Sequence, residues 1–145
     1  MRGEEQYSEL WWVSSFESEG QLVQDLSAMI GKPFKYGGRG PDTYDCFGLV
    51  IECYKKNDNP IIGGFESPPR DKRDEFVEEL LEGKFSAVEQ APGTIVLMDL
   101  DGPHVGFVLD HGRFIHCSER IGSVCIDKLE RYKQKIVGYY AQSQF

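Results

Sequence analysis

Hydrophobic positions along this chain change period once, and the change divides it into a helical first part and a strand-rich second part. Leu22, Val23, Leu26, Met29 and Ile30 recur at helical spacing behind a Ser18–Gln21 capping box and ahead of Gly31 and Pro33. A second helix is predicted from Asp45 or Cys46 to Lys55, with Phe47, Val50, Ile51 and Tyr54 on one stripe, ended by Asn57 to Pro60. Residues 60–70 are Gly- and Pro-rich loop. Asp71 then caps a third helix that carries Phe76, Val77, Leu80 and Leu81 as far as Gly83. Beyond Gln90 the period drops to two, which predicts strands over 94–98, 104–109, 114–117, 124–126 and 136–140. Helices followed by an antiparallel meander make an α+β domain, its helices packed on one face of a five- to six-stranded sheet. Residues 1–17, with Trp11, Trp12, Val13 and Phe16 set among acids, read as an N-terminal arm docking through its aromatics. Residues 18–145 read as one domain.

The hairpin between Val105 and Cys117 permits a register test. A two-residue turn at His111-Gly112 would pair residues whose numbers sum to about 223 and send His104 and His116 to opposite faces. A three-residue turn, 110–112 with Gly112 left-handed, sets His116 opposite Gly106 and diagonal to His104 on one face. Gly106 then leaves room between two imidazoles, so the three-residue turn is expected.

At 145 residues the chain is long enough for one domain with a real core. A formal charge of −8, without Lys or Arg clusters, argues against nucleic acid and against adhesion to anionic surfaces. No apolar run is long enough for membrane insertion, and MRGEEQYSELWW is too acidic and polar for a signal peptide. Cytoplasmic synthesis is therefore expected, with any delivery outward by another route. The four cysteines, Cys46, Cys53, Cys117 and Cys125, form no CxxC pair, which argues against a structural zinc site. Cys46 and Cys53 lie two helical turns apart, too far for a disulfide. Cys53, Cys117 and Cys125 read as small, buried, reduced side chains.

Cys46 differs from the other three. A GGRGP turn and an Asp deliver it to the first turn of an apolar helix, where unpaired backbone N–H groups and the helix dipole favour thiolate. An imidazole nearby would complete the activation of a nucleophile. His104 opens a strand after Gly102-Pro103 and suits the general base. His116 would accept the His104 N–H and hold its tautomer, while His111, at the hairpin tip, is read as solvated and without catalytic function. The Cys46 backbone N–H would supply part of an oxyanion hole. Tyr36, Arg39, Tyr44 and Asp45 are the candidate lid or pocket residues around it.

The string GxPFxYGGRGPxxxDCFGLV, followed by PGTIVLM, HVGFVLDHGRFIHC and a final GYY, resembles the NlpC/P60 family of papain-like cysteine peptidases over roughly Ile30 to Tyr140. The resemblance implies a papain-like fold for residues 18–145 and a triad of Cys46, His104 and His116. It implies no metal or other cofactor, and a peptidoglycan stem peptide as substrate, cleaved at a γ-D-glutamyl bond to a diamino acid. The resemblance adds two candidate substrate contacts, at positions that depart from the family pattern: Phe34 stands where Tyr is usual, and Phe47 where the DCSG motif has serine. Asp45 keeps the acidic neighbour that in relatives can meet a substrate amine. The form GGRGPDxYDCxGLV is similar to domains of phage and prophage tail-assembly proteins, which implies phage tail proteins as partners and delivery to the cell wall in a tail or on lysis. Two other functions use the same residues: a non-catalytic tail-assembly module, and a Cys-His amidase or acyltransferase acting on another substrate.

Overall fold

A computed structural model of the chain describes residues 25–57 and 85–142. The predicted arm, most of the first predicted helix, the 60–70 loop and the third predicted helix lie outside the described residues. The elements are α1 (Cys46–Lys56), β1 (Phe85–Val88), β2 (Ile95–Asp99), β3 (Pro103–Val108), β4 (Arg113–Cys117), β5 (Val124–Lys128) and β6 (Ile136–Gln142). A single 3-10 turn, Leu129–Tyr132, follows β5. The α+β architecture read from the periodicity is the one observed. The strand pairs of this sheet are antiparallel, in the order β1-β6-β2-β3-β4-β5.

The period-two pattern works as alternation should: one set of residues faces the helix, the next faces away. Ile95, Val105, Phe107, Ile115, Cys117 and Val124 pack with Leu26, Met29 and the buried face of α1. Val96, Met98, Val108 and Phe114 point to the other face, where Leu129 of the 3-10 turn, Tyr132 and Ile136 cover them. Ile30, assigned to the buried stripe, is 46% exposed, because the helical turns have ended and 28–31 is a turn. β1 escaped the periodicity reading. Only Phe85 of its four residues is buried, so it shows no alternation, and it is held by pairing with β6 instead.

The β3–β4 register is the expected one, with Gly106 opposite His116 and Val108 opposite Phe114. The turn is built differently. Gly112 is not left-handed; Asp110 instead accepts from the backbone N–H of Gly112 (3.0 Å) and Arg113 (2.9 Å) and binds the Arg113 guanidinium. An Asx-type side-chain bond closes the loop in place of a positive φ. Gly106 is a true close approach, since a Cβ there would lie 2.7 Å from the Phe114 ring and 3.2 Å from the His116 Cβ.

The glycine-rich loop ahead of α1 folds back on itself and seats against the start of β5. Lys35 N–H bonds the Tyr44 carbonyl (3.0 Å), Asp45 N–H the Gly38 carbonyl (3.2 Å), and Phe34 N–H the Gly122 carbonyl (2.9 Å). In the first turn of α1, a Cβ on Gly48 would sit 2.0 Å from the Gly38 carbonyl oxygen. That neighbour is backbone, so the strain cannot relax by rotating a side chain. Gly48→Ala is expected to lower stability by about 3 kcal/mol, at the upper end of overpacking effects. Urea unfolding measures it, with Gly112→Ala, where a Cβ meets nothing, as the neutral control.

Candidate active site

Cys46 is the first residue of α1, and Asp45 is its N-cap. Asp45 is 1% exposed, and its carboxylate accepts from Gly48 N–H (2.7 Å), Gly37 N–H (2.9 Å) and the Arg39 guanidinium (2.8 Å). Burying a carboxylate is tolerated only when its lone pairs are filled, and three donors fill these. Asp45 thereby fixes the helix start to the GGRG turn, so Cys46 has one position relative to the loop.

Cys46 is itself buried, at 1% exposure, and lies close enough to Cys117 to raise that thiol's pKa by like-charge repulsion. Burial is the larger cause there and takes Cys117 to about 12; it also pushes the Cys53 thiol up. The Cys117 thiol donates to the Tyr44 carbonyl at 3.4 Å. The start of α1 therefore sits at the end of β4, the same end of the sheet at which β3 begins.

On the opposite face at that end, His104 and His116 come together as the register test requires. His104 Nε2 and His116 Nδ1 are 2.8 Å apart, with both residues buried. The rings meet edge to face, centroids 5.0 Å apart. The chain of contacts continues past His116, whose Nε2 lies 2.9 Å from Asp127 Oδ2; that oxygen also accepts from the Tyr132 hydroxyl at 3.1 Å. A carboxylate only accepts, so Nε2 of neutral His116 carries the proton and Nδ1 is the acceptor. His104 must then donate from Nε2, which leaves its Nδ1 as the basic nitrogen. Burial, opposed by Asp127, lowers the His116 pKa, which favours the neutral ring.

Asp127 and Tyr132 were not among the residues nominated from the sequence. The predicted strand stopped at residue 126, one short of Asp127, whereas β5 runs to Lys128. The signal that could have found it is the Cys125-x-Asp127 alternation opposite His116. The β4–β5 connection is too long for its register to be read in advance. Cys125, expected to be buried, is partly exposed on β5, which is the last strand in the sheet order.

The six nominated substrate contacts divide. Tyr44, Asp45 and Phe47 are 3%, 1% and 4% exposed and belong to the core and the loop clamp. Phe47 packs into the helix–sheet core. Tyr44 is covered because its ring lies against Gly40, where a Cβ would be 2.6 Å from the hydroxyl. Phe34, Tyr36 and Arg39 remain half-buried. Phe34 packs on the core, and Arg39 is bound to Asp45. None of the six lines the cavity of about 750 Å³ that adjoins His104. Its walls are the β2–β3 turn, the segment 118–121 and Tyr132. His111 is exposed at the hairpin tip.

Comparison with known proteins gives a consistent answer. The sequence profile of the NlpC/P60 family matches residues 31–140. A curated relative, "Probable endopeptidase p60" of Listeria grayi, is 25% identical over 130 residues, covering 87% of this chain and 23% of that protein. The chain thus spans under a quarter of the length of that relative. Among solved structures, NlpC2 from Trichomonas vaginalis superposes with a TM-score of 0.61 at 20% identity, covering 86% of this chain and 48% of that one. The NlpC/p60 domain of the peptidoglycan hydrolase SagA gives 0.56 at 23% identity, covering 87% and 98%.

The lowered His116 pKa has a consequence for stability. The unfolded chain binds a proton at this histidine near the ordinary value of about 6.5, and the folded chain only at lower pH. The stability linked to it is complete above about 6.5 and is lost as pH falls from there through the folded value. Denaturation midpoints measured between neutral and mildly acid pH should fall more steeply for the wild type than for His116→Asn.

Proposed function

The chain belongs to the NlpC/P60 family, and from that premise we propose that it is a cysteine peptidase hydrolysing peptidoglycan stem peptides through Cys46, His104 and His116. The observation that carries the reading is the hydrogen-bonded series His104–His116–Asp127, which leaves His104 Nδ1 as a base at the end of the sheet where α1 begins. The thiol comes from the helix layer and the imidazoles from the opposite face, so the reaction site straddles the ends of β3 and β4. His104 takes the Cys46 proton, and the thiolate forms an S–C bond to the substrate carbonyl. The C–N bond breaks as His104 returns the proton to the leaving amine. Water, deprotonated by the same imidazole, then cleaves the thioester and releases the free thiol.

The bond proposed is γ-D-glutamyl to a diamino acid, which rests on the motif resemblance. The cavity beside His104 supports an extended peptide substrate. The setting in a phage or prophage tail, with delivery to the wall by the particle or on lysis, is carried by the GGRGPDxYDCxGLV form alone.

Defined stem peptides, digested with purified protein and read by fragment mass, test the assignment. Cys46→Ala should lower the cleavage rate by at least about 10⁴-fold; full activity in that variant would refute the thiol mechanism. Asp127 is a positioning residue, acting through His116. Asp127→Asn should lower kcat by at least about 10-fold, and by up to about 10⁴-fold where the tautomer is lost, with KM held. A change in KM alone would remove Asp127 from the relay.

A second reading, a non-catalytic module that keeps the fold, is favoured by the burial of Cys46. Iodoacetamide kinetics separate the two. An activated thiol reacts with a rate plateau below pH 8, while an inert core thiol gives none.

A further inference from the structure

We infer that His116, Cys125 and Asp127 form a binding site for a borderline divalent transition-metal ion such as Zn²⁺, and that its occupancy switches the peptidase off. The ion site stands on geometry; the switch rests on the catalytic reading above.

The three donor atoms already lie at coordination spacing. His116 Nε2 is 3.6 Å from Cys125 Sγ and 2.9 Å from Asp127 Oδ2, and Cys125 Sγ is 3.8 Å from that same oxygen. A tetrahedral ion with bonds of about 2.0–2.3 Å sets its ligand atoms roughly 3.3–3.8 Å apart, so two of the three edges fit and the third opens by a few tenths of an ångström. The donors are one thiolate, one imidazole and one carboxylate, a set that suits Zn²⁺, Co²⁺ or Cd²⁺ and disfavours Mg²⁺ or Ca²⁺. Their placement follows from the sheet. His116 and Cys125 are direct cross-strand partners, and Asp127 is two residues further along β5 on the same face. Cys125 and Asp127 are partly exposed on the last strand of the sheet order, which leaves an entry path and a fourth position for water. The Tyr132 hydroxyl holds the carboxylate, as an outer partner of a metal ligand does. Arg131, 70% exposed, lies 3.5 Å from the other carboxylate oxygen and stays outside the donor set.

Occupancy inverts the relay. An ion on His116 Nε2 takes the lone pair there, so the neutral ring must carry its proton on Nδ1. The Cys125 thiol proton and the His116 Nε2 proton leave to solvent. The proton on His104 Nε2 crosses to His116 Nδ1, and His104 takes one solvent proton at its own Nδ1. Two protons leave and one enters; thiolate and carboxylate balance the ion's charge. His104 Nδ1, the nitrogen assigned to receive the Cys46 proton, is then already protonated.

Cobalt titration of the full chain provides a readout besides activity. One Co²⁺ per chain should produce thiolate-to-metal charge-transfer absorption that persists in Cys46→Ala and vanishes in Cys125→Ser. Zn²⁺ should also protect Cys125 of the wild type from iodoacetamide, read by mass, which requires no variant to fold. Saturating Zn²⁺ should lower stem-peptide cleavage by at least about 100-fold, a wrong tautomer being able to cost about 10⁴-fold in other triads. The ratio of activities with and without Zn²⁺ should approach unity in Cys125→Ser. Absorption that vanishes in Cys46→Ala, or none at all, overturns the site. Cys125-dependent absorption in a protein that cleaves no stem peptide overturns the switch together with the hydrolase reading, and leaves the ion site standing.

Discussion

The buried Asp45 carboxylate is the constraint on which the site geometry depends. It caps α1 through Gly48 N–H, draws in the Gly37 N–H and binds Arg39, all from a position 1% exposed. A buried charge with three donors is rigid by necessity, because any displacement strands a carboxylate in a low-dielectric interior. The GGRG turn can therefore be glycine-rich and still well placed. Close approach adds a steric lock, since Gly48 packs directly on the Gly38 carbonyl. Cys46, the first residue of the helix after this cap, inherits that fixity.

A second chain of polar groups sets the other half of the site by direction rather than by strength. Asp127 can only accept, which decides the tautomer of His116, which decides that of His104. Each link uses one donor and one acceptor, so the chain has a polarity, running from the carboxylate through His116 to His104. Such a relay also carries a vulnerability. Anything that claims His116 Nε2 reverses every proton upstream of it, and Cys125 stands beside that nitrogen.

Much of this was legible in the sequence, and the residues show why. Period and capping found α1 to within a residue, because helix and cap are local. The pairing of His104 with His116 was accessible too, since a short hairpin couples register to face. The left-handed Gly112 was misread because Asp110 offers a competing way to close the same turn, and both fit a three-residue loop. Asp127 was hidden because its value depends on a cross-strand neighbour reached through a longer connection. Tyr44, Asp45 and Phe47, nominated as substrate contacts beside Cys46, are buried in the core and the loop clamp, a side-chain direction that adjacency in sequence does not give. In the first turn of a helix, successive residues point about a quarter-turn apart, and the one after Cys46 faces the core.

Burial of a thiol acts against its ionisation, and this holds for the neighbours of Cys46. Cys53, on the same helix two turns along, is raised by desolvation, and Cys117 reaches about 12 with Cys46 nearby. Desolvation alone would make Cys46 as inert as these. What sets its position apart is the helix terminus: backbone N–H dipoles converge on the first turn and have faded by the second, where Cys53 lies. The imidazole pair adds a proton acceptor at the same end of the sheet. Under the proposed peptidase reading, such a thiol would be selective, since water and small oxidants reach a buried sulfur poorly. That reading requires the dipole and the base together to outweigh desolvation of the kind that raises Cys53.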